Sequence, residues 1–155
     1  GDVYKRQEYA FPNVSNAPTT PGQHEYWNTF PAGAKVAAGG VYVIAHPQAD
    51  ASILAKADHE FRYLSNGNDG FKLVKGTESS FTVIDVIGDW QGDPGSGWDV
   101  AGTTNGTKDK TLVRKPNVKQ GNSNWDSSRG TSESDSEWIV YPQNTWTYLG
   151  SHTTD

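Results

Sequence analysis

The residues that could carry chemistry are carboxylates, histidines, a few bases and an unusual number of indoles. Asp85, Asp89, Asp93 and Asp99 follow one another at spacings of four, four and six. They surround the glycine-rich stretch Gly88–Gly97, and oxygen ligands on such a loop could hold Ca²⁺, which takes 6–8 of them. The spacing is not that of an EF-hand. The competing reading is turn formation, because Asp and Asn side chains bond their own backbone in turns. Asp89, Asp93 and Asp99 are therefore the calcium candidates, set against a purely structural loop with no metal. Asp85 lies inside a strand-like run, and we expect it to accept backbone or indole N–H bonds.

The other constellations point away from catalysis. His24, His46, His59 and His152 show none of the short spacings that place two imidazoles on one metal. Gly95-Ser96-Gly97 lacks the strand–turn–helix setting that activates a serine nucleophile. No phosphate-cradling or dinucleotide glycine motif follows a strand, and nothing sets two acids across a cleft as glycoside hydrolysis requires. The chain has no cysteine, which removes thiolate chemistry and disulfides. We expect no catalytic residue and no cofactor. Six tryptophans could form a sugar-stacking platform, but in a small domain indoles usually belong to the core. Trp125, between Asn124 and Asp126, is the one expected at the surface. Arg114 and Lys115, with Lys119, form a small basic patch. Trp125, Arg114 and Lys115 are thus the candidate exposed binding residues.

Something must position these groups. Phe81–Ile87 (FTVIDVI) is the densest β-branched and aromatic run, and it predicts a central strand. Phe81, Val83, Asp85 and Ile87 would share one face, and Thr82, Ile84 and Val86 the other. Trp90 and Trp98 bracket the loop that follows, which suggests a loop pinned to a core. Further strands are predicted at Tyr9–Phe11, Tyr26–Phe30, Val41–His46, Phe61–Leu64, Phe71–Val74, Thr111–Lys115, Glu137–Tyr141 and Thr145–Leu149, with Gly, Pro and Asn turns between them. Asp50–Asp58 (DASILAKAD) is the one predicted helix, capped by Asp50. The predicted core comprises Val41, Val43, Phe71, Leu73, Ile84, Val86, Leu112, Trp138 and Val140. The pattern is that of an all-β domain, an immunoglobulin-like β-sandwich with one short helix near 50–58.

With 155 residues the chain can form one domain with a real core. Its net charge of −5 argues against sequence-independent binding to nucleic acid by this domain alone, which needs a basic face. No apolar run approaches the ~20 residues of a membrane span. Residues 1–7 (GDVYKRQ) resemble one reading frame of a sequencing-library adaptor. We expect them to be an artefact of a fragment assembled from environmental DNA, with the domain itself covering 8–155.

FPAGAKVAAGGVYVIAH (30–46), LSNGNDGFKLV (64–74), TVIDVIGDW (82–90), TLVRK (111–115) and DSEWIVYPQNTWTYLGSHT (135–153) stand in the order and spacing of a known family. The succession resembles the lamin tail domain found in secreted bacterial multidomain proteins, and it covers most of Tyr9–Thr153. Family members open with a strand pair carrying an acidic residue; here only Glu8-Tyr9-Ala-Phe11 matches, so one or two N-terminal strands are expected to be missing. The resemblance implies an extracellular or cell-surface location and neighbouring domains in the parent chain. It implies a non-catalytic accessory module that attaches its parent to a partner, surface or polymer. The alternatives it leaves are part of an extracellular nuclease or phosphoesterase whose catalysis lies in a neighbouring domain, and a calcium-binding adhesion module.

Overall fold

The computed structural model describes residues 8–155; the presumed adaptor, residues 1–7, lies outside the described residues. The described residues are all-β, built from strands with two short helices. In order these are β1 (Tyr9–Ala10), β2 (Ile44–Ala45), α1 (Ala51–Leu54), β3 (His59–Glu60), β4 (Phe71–Thr77), β5 (Ser80–Ile87), β6 (Lys110–Arg114), α2 (Trp125–Arg129) and β7 (Trp138–Pro142). Three sheets result: β1-β4-β5, β2-β3 and β6-β7. All pairings are antiparallel except β2 with β3. Among the described residues no helix is long and apolar enough to cross a membrane.

The FTVIDVI run is a strand, as its composition predicts, but its faces do not alternate throughout. Asp85 pairs with Leu73 whereas Val83 pairs with the next residue, Val74, so Ile84 is an extra residue in β5. Such a β-bulge rotates the strand beyond it. Val83 consequently packs against the same cluster as Val86, three positions away. The predicted face of Phe81, Val83, Asp85 and Ile87 is therefore split.

That cluster is Val86, Trp98, Val100, Ala101, Trp125 and Trp138, with Val83, Leu112 and Val140 packed on it. Val86, Trp138, Leu112 and Val140 were expected there. Val43 is buried elsewhere in the fold, while Leu73 is 36% exposed and so is not a core residue. Trp90 and Trp98 are both buried, so the loop between them is pinned at its two ends. Trp90 Nε1 donates to the Gly70 carbonyl at 3.0 Å. Gly88 carries a φ of +79°, and a Cβ there would lie 2.6 Å from the Trp98 ring, so no other residue fits that turn.

Other expectations shrink or move. Of Val41–His46 only Ile44–Ala45 is strand, paired with His59–Glu60, and Phe61–Leu64 is not a strand. Tyr26–Phe30 makes isolated bridges to Ala10 and Asn13, and Thr145–Leu149 forms no strand, its last three residues lying in a turn. The Asp50 helix forms over Ala51–Leu54, with Asp50 Oδ1 accepting the Ser52 N–H at 2.9 Å. The second helix, α2, stands where no helix or strand is predicted.

Candidate functional site

Asp85 and Arg114 meet across β5 and β6. Arg114 Nη1 donates to Asp85 Oδ2 and Nη2 to Oδ1, both at 2.9 Å, the fork geometry that makes guanidinium–carboxylate pairs strong. Asp85 Oδ1 also accepts the backbone N–H groups of Val86 and Asn122 at 3.0 Å. Glu137 Oε2 stands 3.7 Å from Arg114 Nη2 and accepts from Asn122 Nδ2 at 3.4 Å. The guanidinium lies 4.3 Å over the Trp138 ring, a cation–π contact. Burial pushes the Asp85 carboxyl up, but the Arg114 bonds and the two N–H donors outweigh it and hold the pKa below the ordinary value. Arg114 is correspondingly raised: burial alone would lower it, and its carboxylate partners prevail.

This arrangement is a clamp between strands, one guanidinium shared by two carboxylates, and it corrects the expectation of an exposed basic patch. The Arg114 side chain is only 14% exposed. Lys115 is half-buried and its Nζ donates to the Glu133 carbonyl. Trp125, expected at the surface, is 4% exposed. Helix α2 turns it inward, where its ring meets Trp98 edge-on with centroids 6.2 Å apart. The helix is legible in retrospect. Asn124 caps it by accepting the Ser127 N–H, Asp126 and Arg129 sit at its first and last turns, and Gly130 closes it with a φ of +64°.

The acidic loop does converge, in part. Asp89, Asp93 and Asp99 line one shallow depression of about 530 Å³, together with Trp98, Asn105 and Arg129. Each carboxylate is turned into its own backbone, however. Asp89 accepts the Gln91 N–H, Asp93 the Gly95 N–H and Asp99 the Asn105 N–H, at 2.8–3.0 Å. Among the described residues no group of three or more His, Cys, Asp or Glu is arranged to hold a metal ion. The histidines lie apart: His24 pairs with Glu78 at 2.9 Å, His46 Nδ1 accepts the Gln48 N–H, and His59 sits among Phe11, Phe30, Tyr42 and Phe61.

A groove of about 480 Å³ is the feature that sequence reasoning missed. One wall is Val41–Ile44 with Ile53, the other is the edge of β6 from Thr111 to Arg114, and the segment Thr145–His152 closes one side. Its lining is mostly apolar and includes Tyr42, Trp146 and Tyr148. Trp146 and Tyr148 stay 38% and 45% exposed, and Tyr148 stacks on Tyr141 with centroids 5.0 Å apart. The exposed indole is thus Trp146, which the pattern of Thr145–Leu149 had assigned to a strand. Three separate stretches of sequence build the groove, so no local motif announces it.

Comparison with protein-family models, curated proteins and solved structures finds no match for this chain.

Proposed function

We propose that this chain is a non-catalytic binding module of a secreted or cell-surface bacterial protein, attaching its parent to a partner. The observation that carries the reading is the groove between Val41–Ile44 and Thr111–Arg114. Its volume of about 480 Å³ falls in the range that binding clefts occupy, roughly 300–1,000 Å³. Aromatic side chains left at a surface are what binding patches are enriched in, and Trp146 and Tyr148 leave substantial ring area in water. The ionised groups nearest the groove are committed to structure: Arg114 to Asp85 and Asp58 to the Val43 N–H. His152 also lines the groove, and among the described residues no carboxylate is paired with it there. The resemblance to the lamin tail domain supports both the accessory role and the extracellular placement.

The test is a ligand screen against the ¹⁵N-labelled chain, with peptides, glycans and nucleotides as probes. Binding should shift the amide signals of Tyr42, Leu112, Trp146 and Tyr148, and Trp146→Ala should abolish it. Hydrolysis of DNA by the purified chain with Mg²⁺ or Ca²⁺, or a screen in which no groove signal moves, would overturn the proposal.

A further inference from the structure

The groove is bounded by strand edges as well as by side chains. Lys115 N–H donates to the Glu137 carbonyl at 2.9 Å, and the register pairs Val113 with Ile139 and Thr111 with Tyr141. The odd-numbered residues of β6 therefore exchange bonds with β7, as alternate pairs in an antiparallel ladder must. Leu112 and Arg114 turn their N–H and C=O groups the other way, and among the described residues nothing bonds their N–H groups. The opposite wall behaves alike. Val43 directs its carbonyl to the N–H groups of Asp58 and His59, so Tyr42 and Ile44 present theirs on the side away from β3. No β3 residue lines the groove.

The edge already accepts chain at one point. Pro116 continues the even-numbered series, and its carbonyl takes the N–H of Asp155 at 2.9 Å. The outer edge of β7 is closed by contrast: Pro142 has no N–H, and the Trp138 N–H is held by Ser136 Oγ at 3.1 Å. Proteins blunt open edges with such devices; β6 carries them only at its ends, in Lys110 and Pro116, and leaves Leu112 and Arg114 open between them. Charge then selects the occupant. Lys110 and Lys115 flank β6, and Lys56 stands in the depression that adjoins the other wall, with its Nζ on the Leu149 carbonyl; all three lie around the groove and none lines it. Among the described residues none of the three is ion-paired, in a chain of net charge −5.

We infer that the groove takes an extended, acidic peptide of a partner protein, which adds as a strand to the open edge of β6. The inference rests on the binding reading above and names its ligand class. Main-chain bonds supply affinity in such strand addition, and alternate side chains supply selectivity. The guest would lie between β2 and β6 and join two two-stranded sheets into one.

The probe is a capped peptide of about nine residues, within the length of ordinary strands. It carries alternating valine and threonine with glutamates at both ends. Its companions are the same sequence N-methylated along the backbone and the same sequence with glutamine for glutamate. Titration followed by amide hydrogen exchange should show saturable binding that slows exchange at Leu112 and Arg114. Both companions should bind at least about tenfold more weakly. Leu112→Pro, which removes an outward N–H and no ladder bond, should weaken binding equally, with near-ultraviolet circular dichroism reporting its fold. The methylated peptide tests the same point without touching the protein. Equal binding of the methylated peptide overturns strand addition and leaves the binding module standing. Equal binding of the glutamine peptide overturns the acidic selectivity. No binding of any peptide overturns the inference, and the binding module falls with it only if the wider screen is also silent. Protection of Leu112 that grows with protein concentration and needs no peptide makes a second copy the occupant and overturns the partner.

Discussion

Removing one carboxylate should show how far the β5–β6–β7 assembly depends on a single charge. In Asp85→Ala, Arg114 keeps a side chain 14% exposed and loses both of its 2.9 Å bonds. Glu137 at 3.7 Å and the face of the Trp138 ring remain to it. Orphaning one partner of a fully buried pair costs about 3–5 kcal/mol. The Asp85 side chain is 28% exposed, so water offsets part of that, leaving about 2–3 kcal/mol. The Val86 and Asn122 N–H groups lose their acceptor as well, which adds about 1 kcal/mol. The sum is about 3–4 kcal/mol. For a chain of this size each kcal/mol lowers the melting temperature by about 2–4 °C, so calorimetry should find a drop of about 6–16 °C. The mechanism has its own signature in a double mutant. Asp85→Ala/Arg114→Met removes the stranded charge along with its partner and should be more stable than Asp85→Ala alone, whereas independent contributions would add. A melting temperature within about 3 °C of wild type for Asp85→Ala, or a double mutant equal to the sum of the singles, would refute the argument.

Trp125→Ala should cost about 3–5 kcal/mol in urea unfolding, the range for emptying a buried indole site; an exposed Trp125 would leave the midpoint nearly unchanged. Gly121→Ala should destabilise by about 1–3 kcal/mol, because the new Cβ would meet the Ile84 carbonyl oxygen within 2.3 Å, and thermal melts of the variant check it. Acid should weaken the fold in a defined window. Hydrogen bonds from the Thr131 hydroxyl and the Thr131 and Ser132 N–H groups hold the Asp135 carboxyl at about 2, and Asp85 is also depressed. Both folded-state values lie below the unfolded value of about 3.9, so their contribution is complete above that pH and is lost as pH falls through the folded values. Urea midpoints measured downward from neutral pH should decline there, and Asp135→Asn should flatten part of the decline. Calorimetric titration with Ca²⁺ should show no saturable binding tighter than about millimolar, since Asp89, Asp93 and Asp99 are occupied with their own turns; a micromolar isotherm abolished by Asp93→Ala would contradict this.

Local composition made the longest strands legible. Phe81–Ile87, Phe71–Val74, Thr111–Lys115 and Glu137–Tyr141 all lie in or over strands because their β-branched and aromatic residues suit a pleated, half-buried surface. What could not be read were the events that depend on distant partners. The bulge at Ile84 has no sequence mark of its own, yet it sends Val83 to the Val86 side. Arg114 looks like a free base until Asp85, 29 residues earlier, is folded against it. Trp125 was judged by its polar neighbours, although Asn124, Arg129 and Gly130 carry the capping pattern that turns it inward. The groove needed three segments to assemble, and only Trp146, exposed among apolar neighbours, marks it in retrospect.

The β4–β5 hairpin sets an order on folding. It closes through the tight connection between Thr77 and Ser80, so it can form as soon as Ile87 has left the ribosome, on the microsecond scale of hairpins. The residues that cover its Val86 side are synthesised afterwards: Trp98 and Val100 first, then Leu112, then Trp125, and Trp138 and Val140 last. A nascent chain halted before Arg114 holds Asp85 in water and Val86 without its lid. Synthesis thus delivers first the cation that neutralises β5, Arg114, and only later the ring that helps seal it, Trp138. Domains dominated by such distant pairings fold in milliseconds to seconds. Until Trp138 arrives, the hairpin is an adhesive surface, and crowding on the ribosome is the stage at which this chain is most exposed to misassembly.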